Sequence, residues 1–121
     1  MAKNITREIG NQLAVTVSHP ATPASGDPVR WGNKAGVALT DEDTVTGKTT
    51  VKFDGCATLA VKGIGNGGNV AVAEGDDLFY TDGDTPPVSK KSNGTNSTRI
   101  GNANGAVGSG ATATIEIRLA G

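Results

Sequence analysis

Thr46-Gly47-Lys48-Thr49 comes nearest to a chemical motif in this chain, ending as phosphate-binding loops end. Such a loop wraps backbone N–H groups round phosphate oxygens and needs a first glycine with four residues between it and the Gly-Lys pair. Glu42 holds that position and would repel phosphate, so the spacing predicts a hairpin turn. Asp41-Glu42-Asp43 and Asp82-Gly83-Asp84 offer oxygen ligands to a calcium ion, but neither runs on into a calcium loop with its closing Glu. They read as solvated turn carboxylates. His19 is the only histidine and precedes Pro20, which favours an extended loop residue. Cys56 stands alone, so neither an intrachain disulfide nor a thiolate cluster for zinc is expected, and a small buried hydrophobe is the reading. No nucleophile–base–acid set can be assembled. The expectation is a protein that is not an enzyme, with no catalytic or metal residues and no cofactor.

Composition narrows the classes further. Eleven basic residues against twelve acidic ones leave a net charge of -1, which predicts no direct nucleic-acid partner. No apolar run approaches the roughly 20 residues of a membrane-spanning helix, so no membrane partner is expected. The first residues, Met1-Ala2-Lys3-Asn4-Ile5-Thr6-Arg7-Glu8, lack an apolar core of the secretory kind, which predicts synthesis in the cytoplasm. Leu, Ile, Val and Phe make up 24 of 121 residues, about 20%, and glycine contributes 18. A chain this poor in large side chains builds a thin core, and association with other chains would supplement it.

The pattern is all-β, a small β-barrel or β-sandwich of short strands. Strands are expected at 13–17, 29–31, 36–39, 49–53, 58–62, 70–73, 77–80, 88–90, 99–103 and 111–119, while the glycine-rich stretch 63–69 is expected to lie outside regular structure. The last strand is the clearest: Ile115, Ile117 and Leu119 fall on one face, Thr114, Glu116 and Arg118 on the other. The division is an N-terminal arm over 1–12 and a single β domain over 13–121. One internal echo stands out. Ser25-Gly26-Asp27 and Glu74-Gly75-Asp76 are each followed by a strand ending in an aromatic residue, which reads as two similarly built turns rather than two binding loops.

Ala24-Ser25-Gly26-Asp27-Pro28-Val29, Gly36-Val37-Ala38-Leu39-Thr40-Asp41, Gly75-Asp76-Asp77-Leu78-Phe79-Tyr80, Arg99-Ile100-Gly101-Asn102-Ala103 and the closing Ala113-Thr114-Ile115-Glu116-Ile117-Arg118-Leu119 occur in that order. This succession resembles the tailed-phage capsid cement (decoration) protein family over about residues 13–119. The resemblance implies a structural virion protein, a homotrimer, that binds the outer surface of the capsid and bridges major capsid subunits. The alternatives are a small nucleotide-dependent or DNA-handling (recombinase-like) protein, or a β binding module of a tail or receptor apparatus. Under the first reading Lys3, Asn4, Ile5, Thr6, Arg7 and Ile9 are candidate capsid-binding residues, on an arm that adds a strand to a sheet edge, with a frayed terminus or a strand at the domain's own edge as the competing reading. Trp31 is the candidate oligomer contact, with a plain core role as the competing reading.

The alternation of the last strand is testable by itself. Ile115→Asp is expected to prevent folding, because an unpaired buried carboxylate costs several kcal/mol, about ten times a surface exchange. Glu116→Thr should leave the circular-dichroism spectrum unchanged; the opposite pair of results means the register is reversed.

Overall fold

The computed structural model describes residues 12–94 and 96–120, the side chains of Gln12 and Ala120 excepted. Its described residues form eleven β-strands and no helix: β1 (Gln12–Val15), β2 (Pro28–Trp31), β3 (Lys34–Ala38), β4 (Thr49–Lys52), β5 (Asp54–Lys62), β6 (Ile64–Gly65), β7 (Gly68–Asn69), β8 (Asp77–Tyr80), β9 (Val88–Ser89), β10 (Thr98–Asn104) and β11 (Thr112–Ala120). The expected all-β class holds. β1, β4, β3 and β2 make one antiparallel sheet in that order, and β10, β11, β5, β9 and β8 close into a barrel. The chain leaving β1 comes back to bridge β2 at His19 and Arg30.

Two expectations need correction. The stretch 63–69 holds a small hairpin, β6 with β7, because Gly68 takes a φ of +120° that a side chain would resist. Residues 70–73 make only an isolated bridge, Val72 to Val107, so no strand forms there. β1 starts at Gln12, opposite Lys52.

The alternation of β11 is observed: Ile117 and Leu119 are buried, Ile115 packs partly buried against the same core, and Thr114, Glu116 and Arg118 are exposed. That core fills the barrel. A second, smaller core of Val15, Val29, Ala38 and Val51, flanked by Leu13, Val17 and Phe53, lies in the first sheet. β3 serves both. Ala38 faces the smaller core, while Ala35 and Val37 belong to the barrel's.

The echo noted in the sequence extends to most of the chain. In the first half the strands run β1-β4-β3-β2; in the second β5, β11, β10 and β8 keep the same order and sense. Ala38 opposes Val51 and Val37 opposes Lys52, as Ala103 opposes Ile117 and Asn102 opposes Arg118. Val29 opposes Gly36 as Leu78 opposes Gly101. The Gly-Asp turns match bond for bond. Gly26 and Gly75 each have a φ of +90°, and the Asp27 and Asp76 carboxylates accept from Ala24 N at 3.0 Å and Ala73 N at 2.8 Å. Gly26 N then donates to the Ala38 carbonyl at 2.8 Å, and Gly75 N to the Ala103 carbonyl at 2.7 Å. The halves differ where β10 bulges at Ile100 against β8, and where β9 is added to close the barrel.

Gly36 and Gly101 are the counterpart glycines of β3 and β10. A Cβ at Gly36 would overlap the Lys52 carbonyl oxygen, and one at Gly101 the Arg118 carbonyl oxygen, so backbone rather than a pliable side chain stands in the way. Gly36→Ala and Gly101→Ala are each expected to cost more than about 3 kcal/mol, measured by urea unfolding. Gly67→Ala, where nothing lies within 4 Å, should stay within about 1 kcal/mol of the parent.

Candidate functional site

The halves meet at a polar seam. Arg30, on β2, lays its guanidinium flat against Asp82, just past β8: Nε donates to Oδ1 at 2.9 Å and Nη2 to Oδ2 at 2.8 Å. Nη1 donates to the Gly32 carbonyl at 2.9 Å, and Asn96 adds a bond to Asp82 Oδ2 at 3.1 Å. The Arg30 and Asp82 side chains are each 14% exposed. Beside them the Tyr80 hydroxyl and His19 Nδ1 are 2.6 Å apart, with their rings edge to face. The forked bond from Arg30 holds the Asp82 carboxyl below the usual carboxylate range. Burial, reinforced by the Asp82 charge, pushes Tyr80 up, so its hydroxyl stays protonated at physiological pH. Around His19 and Tyr80 lies a cleft of about 230 Å³ walled by Pro20, Pro28 and Pro87. That is below the roughly 300–1,000 Å³ of small-molecule sites and suits one side chain.

Several residues singled out in the sequence turn out to hold the backbone. Asp43 Oδ1 accepts from Val45 N at 2.8 Å and Thr46 N at 3.3 Å, and Gly47 N donates to the Asp43 carbonyl at 2.7 Å. The amides that a phosphate would need are thus taken within the turn, and Gly47 supplies its φ of +71°. Asp41 Oδ1 accepts from Ser25 N at 2.8 Å, and Asp84 lies 3.6 Å from Lys91. Asp82 is the exception to the solvated reading, because its partner Arg30 is 52 positions away and no local pattern announces it. His19 likewise has a seam partner 61 positions away. Cys56 is exposed, contrary to expectation: it lies opposite Arg118, on an outward-facing position of β5. Among the described residues no group of three or more His, Cys, Asp or Glu is placed to hold a metal ion.

Trp31 ends β2, is 38% exposed, and leans on Phe53 with ring centroids 5.6 Å apart. The candidate capsid-binding residues Lys3, Asn4, Ile5, Thr6, Arg7 and Ile9 lie outside the described residues. No helix of the described residues is long and apolar enough to cross a membrane. No family model, curated protein or solved structure matches the chain.

The seam makes stability sensitive to acid. A carboxylate whose pKa is lower folded than unfolded contributes stability above its unfolded value of about 3.9, and that contribution is lost as pH falls through the folded value. Asp82 behaves this way through Arg30, and Asp76 through its Ala73 amide bond and then Lys90. Asp82→Asn is expected to destabilise by about 1–3 kcal/mol at pH 7 and to flatten the stability profile below about pH 4. Urea melts at pH 7, 4 and 3 decide it; an unchanged acid slope in the variant removes Asp82 as its source.

Proposed function

We propose that the chain is a structural virion protein that sits on the outer surface of a phage capsid and bridges major capsid subunits, working as a homotrimer. The observation that carries this reading is how the polar side chains are used. The Asp27, Asp41, Asp43 and Asp76 carboxylates hold turn amides, and Asp82 fastens the two halves. Polar groups used this way make a stiff body out of little apolar material, which is what a mechanical brace requires. The Thr46-Gly47-Lys48-Thr49 turn, the one feature that favoured a nucleotide-handling protein, is filled by its own Asp43. The near-even charge suits a protein surface as partner rather than nucleic acid. A virion location and the expected arm contacts go with this reading.

Cosedimentation tests it. Purified chain mixed with expanded heads assembled from the major capsid protein of the same genome should sediment with them, saturating at a fixed ratio to capsid subunits. Light scattering of the free chain at micromolar concentration should report three copies. Saturable binding to a nucleotide or to DNA, with none to heads, would overturn the proposal in favour of the DNA-handling alternative.

A further inference from the structure

An asparagine followed by glycine can react with its own main chain. The glycine amide nitrogen closes a five-membered ring on the side-chain carbonyl carbon and expels ammonia. The chain holds three such pairs, Asn66-Gly67, Asn93-Gly94 and Asn104-Gly105, and the fold treats them differently. Gly94 N donates to Ser97 Oγ at 3.0 Å, so that nucleophile is tied down. Asn104, at the end of β10, is drawn aside by a 2.6 Å bond from its Nδ2 to Glu116 Oε1 on β11. Its Oδ1 receives no donor among the described residues.

Asn66 and Gly67 are the two exposed turn residues of the β6–β7 hairpin. Gly67 N meets no acceptor among the described residues. Asn66 Oδ1 accepts from two main-chain amides, Ser92 N at 2.8 Å and Asn93 N at 3.1 Å, the spacing of donors round a developing oxyanion. Those donors also fix which way the side-chain amide is turned, since an NH2 group there would face two N–H groups. Nδ2, the leaving group, donates to Ser92 Oγ at 3.0 Å.

We propose that Asn66 is a self-deamidation site, sped by the Ser92 and Asn93 amides and the Ser92 hydroxyl. Gly67 N gives its proton to hydroxide and bonds to the Asn66 side-chain carbon, and the negative charge passes to Oδ1 between the two amides. When the bond to Nδ2 breaks, its electron pair stays on nitrogen. The nitrogen takes a proton from the Ser92 hydroxyl, which water replaces, and departs as ammonia. Water then opens the succinimide at either carbonyl to give aspartate or isoaspartate, so the sum is one water consumed and one ammonia released. The product carboxylate keeps both amide donors and gains the Ser92 hydroxyl as a third, so the folded chain accommodates the new charge. This site stands apart from the capsid reading.

Trypsin separates the three pairs, cutting after Lys62, Lys90, Lys91, Arg99 and Arg118, so mass spectrometry of one digest follows them all. The full chain is kept at mildly alkaline pH, folded or in concentrated urea, and conversion of each asparagine is timed. In urea the three pairs should convert at similar rates. Folding should speed Asn66 about tenfold or more and slow Asn93 and Asn104. Ser92→Ala, with an unchanged far-UV circular-dichroism spectrum, should slow Asn66 about tenfold in the folded chain and leave its rate in urea as it was. Asn66 converting no faster folded than in urea would overturn the proposal, because the bonds to Ser92 and Asn93 would then be protecting the side chain. So would an unchanged folded rate in Ser92→Ala, or Asn93 or Asn104 leading in the folded chain.

Discussion

β3 has to be buried on both faces, and the rest of the molecule is arranged around that constraint. Of its five residues only Lys34 is exposed. Ala38 faces the smaller core, Ala35 and Val37 the barrel's, and Gly36 leaves room for the backbone of β4 to come close. Small side chains are what this position demands, because a strand between two cores keeps both within van der Waals reach only if little projects from it. A chain with 24 large aliphatic and phenyl side chains cannot fill two wide interiors, so it brings the interiors together over one thin strand. β3 packs on β10 and β2 on β8, counterpart strands facing each other as in a fused pair of like units.

What the two halves share separates the needs of the fold from what each half adds to it. The positive-φ glycine, the Asp that caps its own turn, the glycine crossed by a neighbouring carbonyl and the alanine that receives the turn recur with the same bonds. Side chains off this frame diverge. Pro23 and Val72 both accept an amide bond, from Glu42 and Val107, but Val72 also returns one, which Pro23 has no N–H to do. At that counterpart position the first half has the partly exposed Glu42, while the second has Val107, 2% exposed. The seam belongs to the same divergence: Arg30 stands where the second half has Phe79, and its charge finds Asp82 rather than an apolar neighbour.

Much of this was legible in the sequence wherever the signal was local. Alternation placed β11, and the Gly-Asp pair placed the two turns, because each depends on residues within a few positions of one another. Asp77–Tyr80 emerged at its observed bounds. The stretch 63–69 was misread because glycine content argues against strands on average, while a two-residue hairpin needs glycine at its turn. Cys56 was misread because its small-residue neighbours say nothing of which face of β5 turns outward. The seam was invisible for a different reason. Arg30, His19, Tyr80 and Asp82 meet only once the halves have docked, and nothing in their spacing encodes that docking.

The repeat also bears on how a thin-cored protein stays single-valued. Two like sheets could pair in several registers, since like faces offer like contacts. The Arg30–Asp82 fork and the Tyr80–His19 bond each join different positions of the repeat, and neither has a like pair in the other half to exchange with. Sliding the halves by a strand position would leave a guanidinium and a carboxylate, each 14% exposed, without their partners. That penalty exceeds what a slipped apolar contact would lose, because a buried charge without its partner forfeits hydration and pairing together. Apolar burial therefore holds the halves together, and the charged fork decides which way they are held.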